Sequence, residues 1–386
     1  MHVAEARAGR ISKERLPIYN AVHIVYSGLG GHAGQLFSLL GGGFLNKTKH
    51  HVILAGVEPP VPEYIEKLDA LGIEWSYVGK PSGKDHYYFY SEIRRKILAS
   101  DPDIILANGL AAAPAIVLML MSRDKKIRTI LRDSQPFQLK SWFQWCLLAA
   151  SHCSVDRIVY LTAEAEEKAK KKLGAFHRGS KVRVINNGVD TDFFCPTSKG
   201  DRSQRIINIG MVSRLQKTKD HSTLLRAFSS LVDAYPDTSI ALHIVGDGET
   251  RASIEQEINE KKISDKVTMH GLLSENEVKK LLQSLDIYVH ATLGETMSNS
   301  IMQAMSSGLP IIASDVDGVN NMINGESGIL YPSGDDCSLF KKLEIFIEDE
   351  EIAVKFGEHA RLRAVSLYGN HTVARMYENM IFDIDL

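Results

Sequence analysis

The feature that most constrains the fold is an alternation of short apolar runs with helix-like segments, which occurs twice along the chain. The first series extends from AVHIVY (21–26) to KVRVINNGVD (181–190), and the second begins at RIINIGMVSRL (205–215). Between them lies CPTSKGDRSQ (195–204), a polar stretch rich in turn-forming residues. Strands that alternate with helices form parallel sheets with helices on both faces. The sequence therefore predicts an α/β protein of two doubly wound, Rossmann-like domains, with a ligand cleft between them.

The chain is long enough for two domains, and its two parts carry opposite net charge. The chain has 386 residues, and a globular domain has about 150. Residues 1–197 carry 26 Lys and Arg against 19 Asp and Glu, whereas the remainder carries 19 against 28. The first part is therefore positively charged and the second negatively charged. This asymmetry indicates that the first domain meets an anionic partner.

The cysteines and the apolar segments bear on the cellular compartment. The four cysteines form no C-x-x-C pair, and none lies near a histidine at zinc-binding spacing. Reduced thiols of this kind favour a cytosolic protein. The first residues lack the apolar core of a signal peptide, and no window approaches ~18 consecutive apolar residues. We expect a cytoplasmic protein, with peripheral contact to the inner face of an anionic cytoplasmic membrane as a candidate.

One apolar segment allows two interpretations. FQLKSWFQWCLLAA (137–150) contains Trp142, Phe143 and Trp145 close to Lys140. Aromatic and basic residues in this combination are typical of a segment that lies on a membrane surface. The alternative is a buried helix of the first domain, which we favour because apolar helices usually belong to the core.

A glycine-rich turn follows the first predicted strand. SGLGGHAGQ (27–35) fits the start of a dinucleotide fingerprint, but no acidic residue closes the next strand. It is either a plain tight turn or a backbone that lets a phosphate or a sugar approach closely. In the second case Gly30 and Gly31 are the candidate contacts.

A basic turn follows the first strand of the second domain. SRLQKTKD (213–220) places Arg214, Lys217 and Lys219 at the carboxyl end of that strand. Two or three cations there neutralise a diphosphate, and arginine binds one bidentately. The alternative is a solvated charged loop, which is the usual place of such residues.

The stretch GETMSNSIMQAMSSGLPIIASD (294–315) predicts a loop, a helix and a strand. Ser298 or Asn299 is a suitable N-cap, and Gly308 ends the helix. Free N–H groups at a helix start attract anions. Glu295 precedes this helix and Gln303 lies about one turn inside it. An ordinary capped helix packed on a sheet is the alternative.

Five segments, taken in order, resemble the family 4 glycosyltransferases, which are retaining enzymes with the GT-B fold of two Rossmann-like domains facing across a cleft. The match is densest over 181–336. The resemblance implies an acceptor-side domain over 1–197, a nucleotide-sugar domain over 198–365 and a helix over 366–386 that crosses back to the first domain. The segments are INNGVDTDFFCP, IGMVSRLQKTKDHSTLLRAF, LHIVGDGETR, HGLLSENEVKKLLQSLDIYVHAT and GETMSNSIMQAMSSGLPIIASDVDGVNNMINGESGILYPSGD.

The resemblance also implies roles for matching residues. Arg214 and Lys219 would bind the donor diphosphate, and Glu295 would bond hydroxyls of the donor sugar; these three form the expected catalytic set. Gln303 stands where the family has a glutamate that bonds the ribose. Further donor contacts are expected from the backbone of Met297, Ser298 and Asn299, from the turn Gly246, Asp247 and Gly248, and from His270, Gly271 and Leu272.

The chain departs from the family pattern at several positions. An amide at Gln303 accepts hydroxyl bonds more weakly than a carboxylate, which should cost about 1–2 kcal/mol of donor binding. In DVDGVNNMI, Asp317, Asn320 and Asn321 stand at three of the positions where the family usually has Gly-Gly-x-Pro-Glu. Where the family often has a histidine, this chain has Arg132 and Asp133, which either contact the sugar or form a structural salt bridge.

The resemblance implies a nucleotide-sugar donor, with a UDP-sugar expected first and a GDP-sugar next. It implies neither a cofactor nor a metal, because Arg214 and Lys219 stabilise the departing diphosphate. The acceptor would be a glycan or a polyprenyl-diphosphate-linked sugar of cell-surface polysaccharide synthesis, and no nucleic acid is expected. A catalytically impaired GT-B subunit that acts as a binding or stabilising partner is the alternative. We favour the active enzyme, because a dead donor site has no physical need of Arg214, Lys219 and Glu295 together.

Overall fold

The computed structural model describes residues 19–382, except for 29–30, 47, 82–85, 121–126, 136, 138–139 and 198–205. For residues 31–32 and 118–120 it describes the backbone alone. Gly30 lies outside the described residues, and so does position 198, where the predicted second domain begins.

The first domain is built on a seven-stranded parallel sheet. Its strands are β1 (Asn20–Tyr26), β2 (Lys49–Gly56), β3 (Glu74–Gly79), β4 (Ile104–Asn108), β5 (Arg128–Asp133), β6 (Arg157–Tyr160) and β7 (Val182–Val184). They lie in the order β3-β2-β1-β4-β5-β6-β7. The helices are α1 (Gly31–Gly41), α2 (Pro62–Ala70), α3 (His86–Ala99), α4 (Ala113–Leu120), α5 (Trp142–Ser154) and α6 (Ala163–Leu173).

The second domain repeats this plan with a six-stranded parallel sheet. Its strands are β8 (Ile207–Val212), β9 (Ile240–Val245), β10 (Val267–Gly271), β11 (Ile287–His290), β12 (Ile311–Asp315) and β13 (Ile329–Pro332). They lie in the order β10-β9-β8-β11-β12-β13. The helices are α7 (His221–Ala234), α8 (Arg251–Glu260), α9 (Glu275–Ser284), α10 (Asn299–Ser306), α11 (Asp336–Glu348) and α12 (Glu350–Tyr368).

Both sheets confirm the predicted doubly wound architecture, and the burial of their strands explains the apolar runs. A strand covered by helices on both faces must be apolar at nearly every position. All residues of Ile104–Ala107 in β4 and of Ile287–His290 in β11 are buried. The strand order reverses between β1 and β4 and between β8 and β11. Such switch points open a crevice at the carboxyl ends of the strands, where ligands bind.

The chain crosses between the domains twice, and the two crossings pair with each other. Val189 donates its N–H to the carbonyl of Tyr368 at 2.7 Å, and Asn370 donates to the carbonyl of Val189 at 3.1 Å. The helix that follows, α13 (Asn370–Phe382), lies against α1. Leu45 of the first domain donates its N–H to Glu378 Oε1 of α13 at 2.7 Å. The last described helix is therefore packed on the first domain.

Two segments differ from the sequence prediction. The strand predicted over 181–190 is formed only by β7, because the residues after it cross to the second domain. In α5, Leu148 is fully buried, whereas Trp142 is 77% exposed and Phe143 is 54% exposed. The favoured interpretation of a buried helix is therefore correct for the later turns and wrong for the first. None of the described helices is long and apolar enough to cross a membrane.

Candidate active site

A cleft of about 760 Å³ lies between the two domains. Ten of the residues predicted from the sequence line it: Arg132, Arg214, Lys219, Gly246, Leu272, Glu295, Met297, Ser298, Asn299 and Gln303. They come from the carboxyl ends of strands in both sheets and from the start of α10. The cleft is therefore where the predicted cationic, acidic and amide groups meet.

The loop after β8 positions Arg214 through backbone contacts. Leu215 donates its N–H to the carbonyl of Asp247 at 2.9 Å, and Thr250 donates to the carbonyl of Leu215 at 3.1 Å. Gly246 has φ +127°, and a Cβ there would lie 1.8 Å from the carbonyl oxygen of Ser213. Only glycine lets the two turns approach this closely. Within the described part of the chain, no side-chain hydrogen bond or ion pair restrains the exposed Arg214 guanidinium.

The end of the same loop places Lys219 beside the residues that follow β11. Asp220 donates its N–H to the carbonyl of Ala291 at 3.1 Å. The carbonyl of Thr218 accepts from Leu293 N–H and from Thr292 Oγ1, both at 2.9 Å. These three bonds fix the backbone on either side of Lys219 and direct its side chain toward Glu295.

Lys219, Glu295 and His290 form a compact charged cluster. Lys219 Nζ makes a short contact with Glu295 Oε2 and lies 3.4 Å from His290 Nε2. His290 Nε2 is 3.6 Å from the same carboxylate oxygen. Burial alone raises the pKa of Glu295, but the His290 ring and the Lys219 charge outweigh it and lower this pKa to about 2. Burial lowers the pKa of His290. The cluster at neutral pH is therefore an ionised Glu295 paired with Lys219 beside a neutral imidazole.

The start of α10 forms the floor of the cleft. Ser298 is its N-cap, and Ser298 Oγ accepts the N–H of Ile301 at 3.3 Å. The other N–H groups of a first helical turn have no acceptor within the helix, so they remain available to an anion. The N–H of Ser298 itself contacts Met322 Sδ at 3.4 Å. The predicted donor contact from Ser298 N–H would therefore replace this thioether contact.

The far end of the cleft combines an amide with an apolar wall. Gln303 is half-buried on α10, and its side chain faces the cleft. Leu272, Leu273 and Val278 line the cleft together with Gly246. Such a surface suits the flat ring of a nucleotide base, and the amide of Gln303 suits ribose hydroxyls.

Arg132 is the main cationic group on the first-domain wall. It is 4% exposed and contacts Asn187 Oδ1 through Nη2 at short range, while Nη1 lies 3.3 Å from Asn108 Oδ1. Asn187 Nδ2 in turn donates to Asn299 Oδ1 at 3.1 Å. A chain of polar side chains therefore connects Arg132 to the start of α10.

Asp133 faces a different space from Arg132, because neighbouring side chains of a strand point to opposite faces. It forms a buried salt bridge of 3.2 Å with Lys140. Both line a small pocket of about 40 Å³, which shares Glu295 and Thr296 with the main cleft. The sequence allowed a sugar contact or a structural salt bridge for this pair. Asp133 forms the salt bridge, and Arg132 lines the cleft.

Several predicted residues lie outside the cleft lining. Asp247 accepts from Gly248 N–H at 2.7 Å and pairs with Arg251 at 3.3 Å. His270 Nε2 lies 3.0 Å from His243 Nδ1, and their rings stack. These side chains therefore support the turns of the second domain. Gly248 and Gly271 adopt positive φ values in the same turns, and Gly31 begins α1.

The segment DVDGVNNMI connects the two domains. Asp317 forms a short ion pair with Lys168 of α6, and Asn321 Nδ2 donates to Glu164 Oε2 at 3.1 Å. Asn320 contacts Asp315 at 3.3 Å within the second domain. Two of the residues that depart from the family pattern therefore make interdomain contacts.

Sequence reasoning missed two residues of the site. Asn187 follows β7 in the quoted segment INNGVD, and His290 ends β11 in IYVHAT. A polar residue at the carboxyl end of a strand was the available signal in both cases. Neither pattern names a partner. Asn187 lies 112 residues from Asn299, and His290 lies 71 residues from Lys219. Glu295 is close to His290 in the sequence, but no local pattern indicates their contact.

Comparison with known families covers both domains. The model of glycosyl transferases group 1 matches residues 200–363, and the model of glycosyltransferase family 4 matches residues 43–193. A UDP-Gal:alpha-D-GlcNAc-diphosphoundecaprenol alpha-1,3-galactosyltransferase of Escherichia coli is 28% identical over 59% of this chain and 60% of its own length. A sulfoquinovosyl transferase of Arabidopsis thaliana is 25% identical over 69% of this chain and 52% of its own. The chain thus spans little more than half the length of these curated relatives.

Solved structures share the two-domain arrangement. Anabaena HepE in complex with UDP and glucose superposes with a TM-score of 0.78 at 16% identity, covering 95% of this chain and all of the other. A lipopolysaccharide outer core galactosyltransferase, WaaB, gives 0.71 at 16% identity, covering 94% and 99%. These likenesses identify the fold. The chain belongs to the family 4 glycosyltransferases, and its two Rossmann-like domains form the GT-B fold.

Proposed function

We propose that this protein transfers a sugar from a nucleotide-diphosphate sugar to a hydroxyl acceptor with retention of the anomeric configuration. The observation that carries the proposal is the convergence of Arg214, Lys219 and Glu295 with the start of α10 in one cleft. Two cations and a helix start suit a diphosphate, and a carboxylate suits sugar hydroxyls. A UDP-sugar is the first candidate donor and a GDP-sugar the next.

The cluster geometry suggests how a donor would bind. Lys219 forms an ion pair with Glu295, so a bound diphosphate would compete with this carboxylate for the ammonium. The low pKa keeps Glu295 ionised at neutral pH, and it can then accept bonds from donor sugar hydroxyls. His290 lies within reach of both groups and can hold Glu295 in place during the exchange.

Transfer would depend on positioning and on stabilisation of the leaving diphosphate. The Arg214 guanidinium, which has no side-chain partner among the described residues, and the Lys219 ammonium would supply positive charge where the diphosphate departs. The departing phosphate would take the proton of the acceptor hydroxyl on the same face of the sugar. The protein then supplies orientation and charge, which can account for most of the rate enhancement.

The acceptor would be a glycan or a lipid-linked sugar used for a cell-surface polysaccharide. The name of the E. coli relative includes a diphosphoundecaprenol-linked acceptor, and we extend this chemical class to the present chain. The positive charge of residues 1–197 suits an anionic lipid headgroup or membrane surface. We place the protein in the cytoplasm, on the inner face of the cytoplasmic membrane.

We also propose that the chain divides functionally as the resemblance implies. Residues 1–197 would carry the acceptor, residues 198–365 would carry the donor, and residues 366–386 would belong to the first domain. The packing of α13 on α1 supports the last part. The paired crossings at Val189 and Gly369 would then be the hinge for closure around the donor.

Nucleotide binding tests this proposal. We would titrate UDP, GDP and ADP by calorimetry in the presence of EDTA, and expect one nucleotide to bind. Arg214→Ala should weaken that binding by about 1.5–3 kcal/mol, because one charge-assisted contact is lost. Gln303→Glu should strengthen it by about 1–2 kcal/mol. Lys217→Ala is the matched control, since Lys217 lies exposed in the same loop but does not line the cleft.

Turnover of the donor separates the enzyme from an impaired binding subunit. An active enzyme should slowly hydrolyse the sugar ester of whichever nucleotide binds. Glu295→Gln should abolish this hydrolysis. If nucleotide binds without any hydrolysis or transfer, the binding-subunit alternative is correct. If no nucleotide binds, or if Lys217→Ala weakens binding as much as Arg214→Ala, the donor site is wrongly assigned.

A further inference from the structure

His290 is the most deeply buried member of the charged cluster beside the cleft. Its side chain is 1% exposed, whereas those of Lys219 and Glu295 are 11% and 22% exposed. His290 Nε2 lies 3.4 Å from Lys219 Nζ and 3.6 Å from Glu295 Oε2. His290 Nδ1 is buried and has no hydrogen-bond partner among the described residues. One ring nitrogen therefore faces both charged groups.

The contacts define where the protons of this cluster lie. An ammonium can only donate and an ionised carboxylate can only accept, so Lys219 donates to Glu295 Oε2 and to His290 Nε2. A ring nitrogen that accepts carries no proton, and the single proton of the neutral imidazole is then on Nδ1. Burial and the Lys219 charge lower the pKa of His290, whereas the Glu295 carboxylate raises it. The imidazole therefore stays neutral as long as the ammonium lies beside it.

Two other titratable side chains are close to His290. The ring of Tyr288 stacks on it with centroids 6.3 Å apart, and burial raises the pKa of this phenol. His221 follows Lys219 by two positions, and burial lowers its pKa to about 4. Both side chains are uncharged at neutral pH. Lys219 and Glu295 are therefore the charged groups that decide the protonation of His290.

A diphosphate in the cleft would change this balance. It would compete with Glu295 for the Lys219 ammonium, because phosphate oxygens accept charge-assisted bonds as carboxylates do. Among the described residues, Lys219 is the only lysine or arginine that pairs with Glu295. A largely buried carboxylate that loses its cation is costly. The same movement leaves the lone pair of His290 Nε2 facing that carboxylate.

We propose that donor binding draws one proton from solvent onto His290, which then replaces Lys219 as the partner of Glu295. This inference rests on the proposed function and makes His290 a positioning residue that acts through Glu295. The proton binds the lone pair of Nε2, the ring becomes an imidazolium, and Nε2 donates to Glu295 Oε2. No bond of the donor changes in this step. Glu295 keeps its charge and its place beside the sugar hydroxyls while Lys219 binds the diphosphate.

Calorimetry with UDP-glucose near pH 7, in Pipes and in Tris buffer, tests this inference. A proton taken up by the protein is released by the buffer, so the binding enthalpy includes the ionisation enthalpy of the buffer, which is small for Pipes and large for Tris. The diphosphate of UDP-glucose is esterified at both ends and does not titrate near this pH. We expect uptake of about one proton, and an affinity that falls up to about tenfold per pH unit between the pKa of the free and the bound imidazole.

Two amide substitutions locate the proton. His290→Gln places an N–H donor near the position of Nε2 but does not titrate, so it should bind UDP-glucose up to about tenfold more weakly and without buffer dependence. Glu295→Gln should also bind without proton uptake, because no buried charge then remains to be compensated. Unchanged proton uptake in His290→Gln would show that this imidazole is merely structural.

His221 is the matched control. It is 2% exposed, and its ring nitrogens lie 3.1 Å from Ser213 Oγ and 2.8 Å from the carbonyl oxygen of Lys219, so neither faces Glu295. His221→Gln should show the same buffer dependence as the unmodified protein. Loss of proton uptake in His221→Gln but not in His290→Gln would assign the proton to the other imidazole and overturn the inference.

The unmodified protein separates this inference from the proposed function. If UDP-glucose binds with equal enthalpy in both buffers, the exchange of partners at Glu295 is wrong and the donor site stands. If neither UDP-glucose nor GDP-glucose binds, the proposed donor site is refuted and this inference with it. Thermal unfolding of each variant reports whether it is folded, and the comparison of buffers on the unmodified protein needs no variant.

Discussion

The two walls of the cleft are held by different kinds of contact. On the second-domain wall, backbone bonds of the Arg214 loop to Asp247 and to the residues after β11 fix the backbone that carries the cationic side chains. On the first-domain wall, Arg132 is held by Asn187 and Asn108, and Asp133 by Lys140. These are side-chain contacts, and those of Arg132 join residues 24 and 55 positions apart in the sequence.

This difference suits the division of function that we propose, in which the second-domain wall binds the donor and the first-domain wall binds the acceptor. A diphosphate needs several cations and N–H groups at fixed positions, and backbone geometry fixes them regardless of most side chains. An acceptor is recognised by the particular side chains that face it. We therefore expect changes in the second-domain wall to affect stability and donor binding together, and changes in the first-domain wall to have smaller effects.

The largest expected effect is the pH dependence of the Glu295 pair. The pKa of Glu295 falls from its ordinary 4.5 to about 2 on folding, so its ionised form stabilises the folded protein. This contribution, on the order of 3 kcal/mol, is complete above pH 4.5 and is lost as the pH falls toward 2. Urea unfolding across this range should show the loss in the unmodified protein and a weaker dependence in Glu295→Gln. Parallel curves for the two proteins would mean that Lys219 does not hold the carboxylate.

An intermediate effect is expected from Gly246→Ala. The new Cβ would clash with the carbonyl of Ser213 at a positive φ, which should cost about 1–3 kcal/mol of folding stability. It should also weaken UDP binding, because the same clash displaces Arg214. Thermal unfolding and calorimetry measure both effects. Gly294→Ala is the control, since Gly294 also lines the cleft but a Cβ there meets no atom within 4 Å. If both variants behave alike, backbone proximity does not determine the position of Arg214.

The smallest effect is expected from the interdomain pair of Lys168 and Asp317. Their side chains are 32% and 49% exposed, so solvent and salt screen the pair. Lys168→Ala should change the free energy of unfolding by less than about 1 kcal/mol, and less still at high salt. Urea unfolding at two salt concentrations measures this. A loss as large as that of Gly246→Ala would show that the first-domain contacts are as essential as those of the second.

The sequence predicted most of the fold and most of the second-domain residues that line the cleft. Periodicity located the strands and helices of both sheets, and capping chemistry located the start of α10 at Ser298. The turns with Gly246 and Arg214 were recognisable because each follows a predicted strand and matches a segment of the family pattern. The backbone contact between those turns was not predicted. The position of Asp247 and His270 outside the cleft lining was not predicted either.

The sequence by itself therefore determined which strands and helices each domain contains. Burial on both faces of a parallel sheet and the capping of its helices are local requirements, and the sequence shows them directly. The tertiary structure alone decided which polar side chains meet in the cleft and beside it. His290 joins Lys219 and Glu295, Asn187 connects Arg132 with Asn299, and Asp133 pairs with Lys140. Such pairs follow from how two sheets and two chain crossings are packed, because a polar residue at the end of a strand has many chemically suitable partners and only packing selects one.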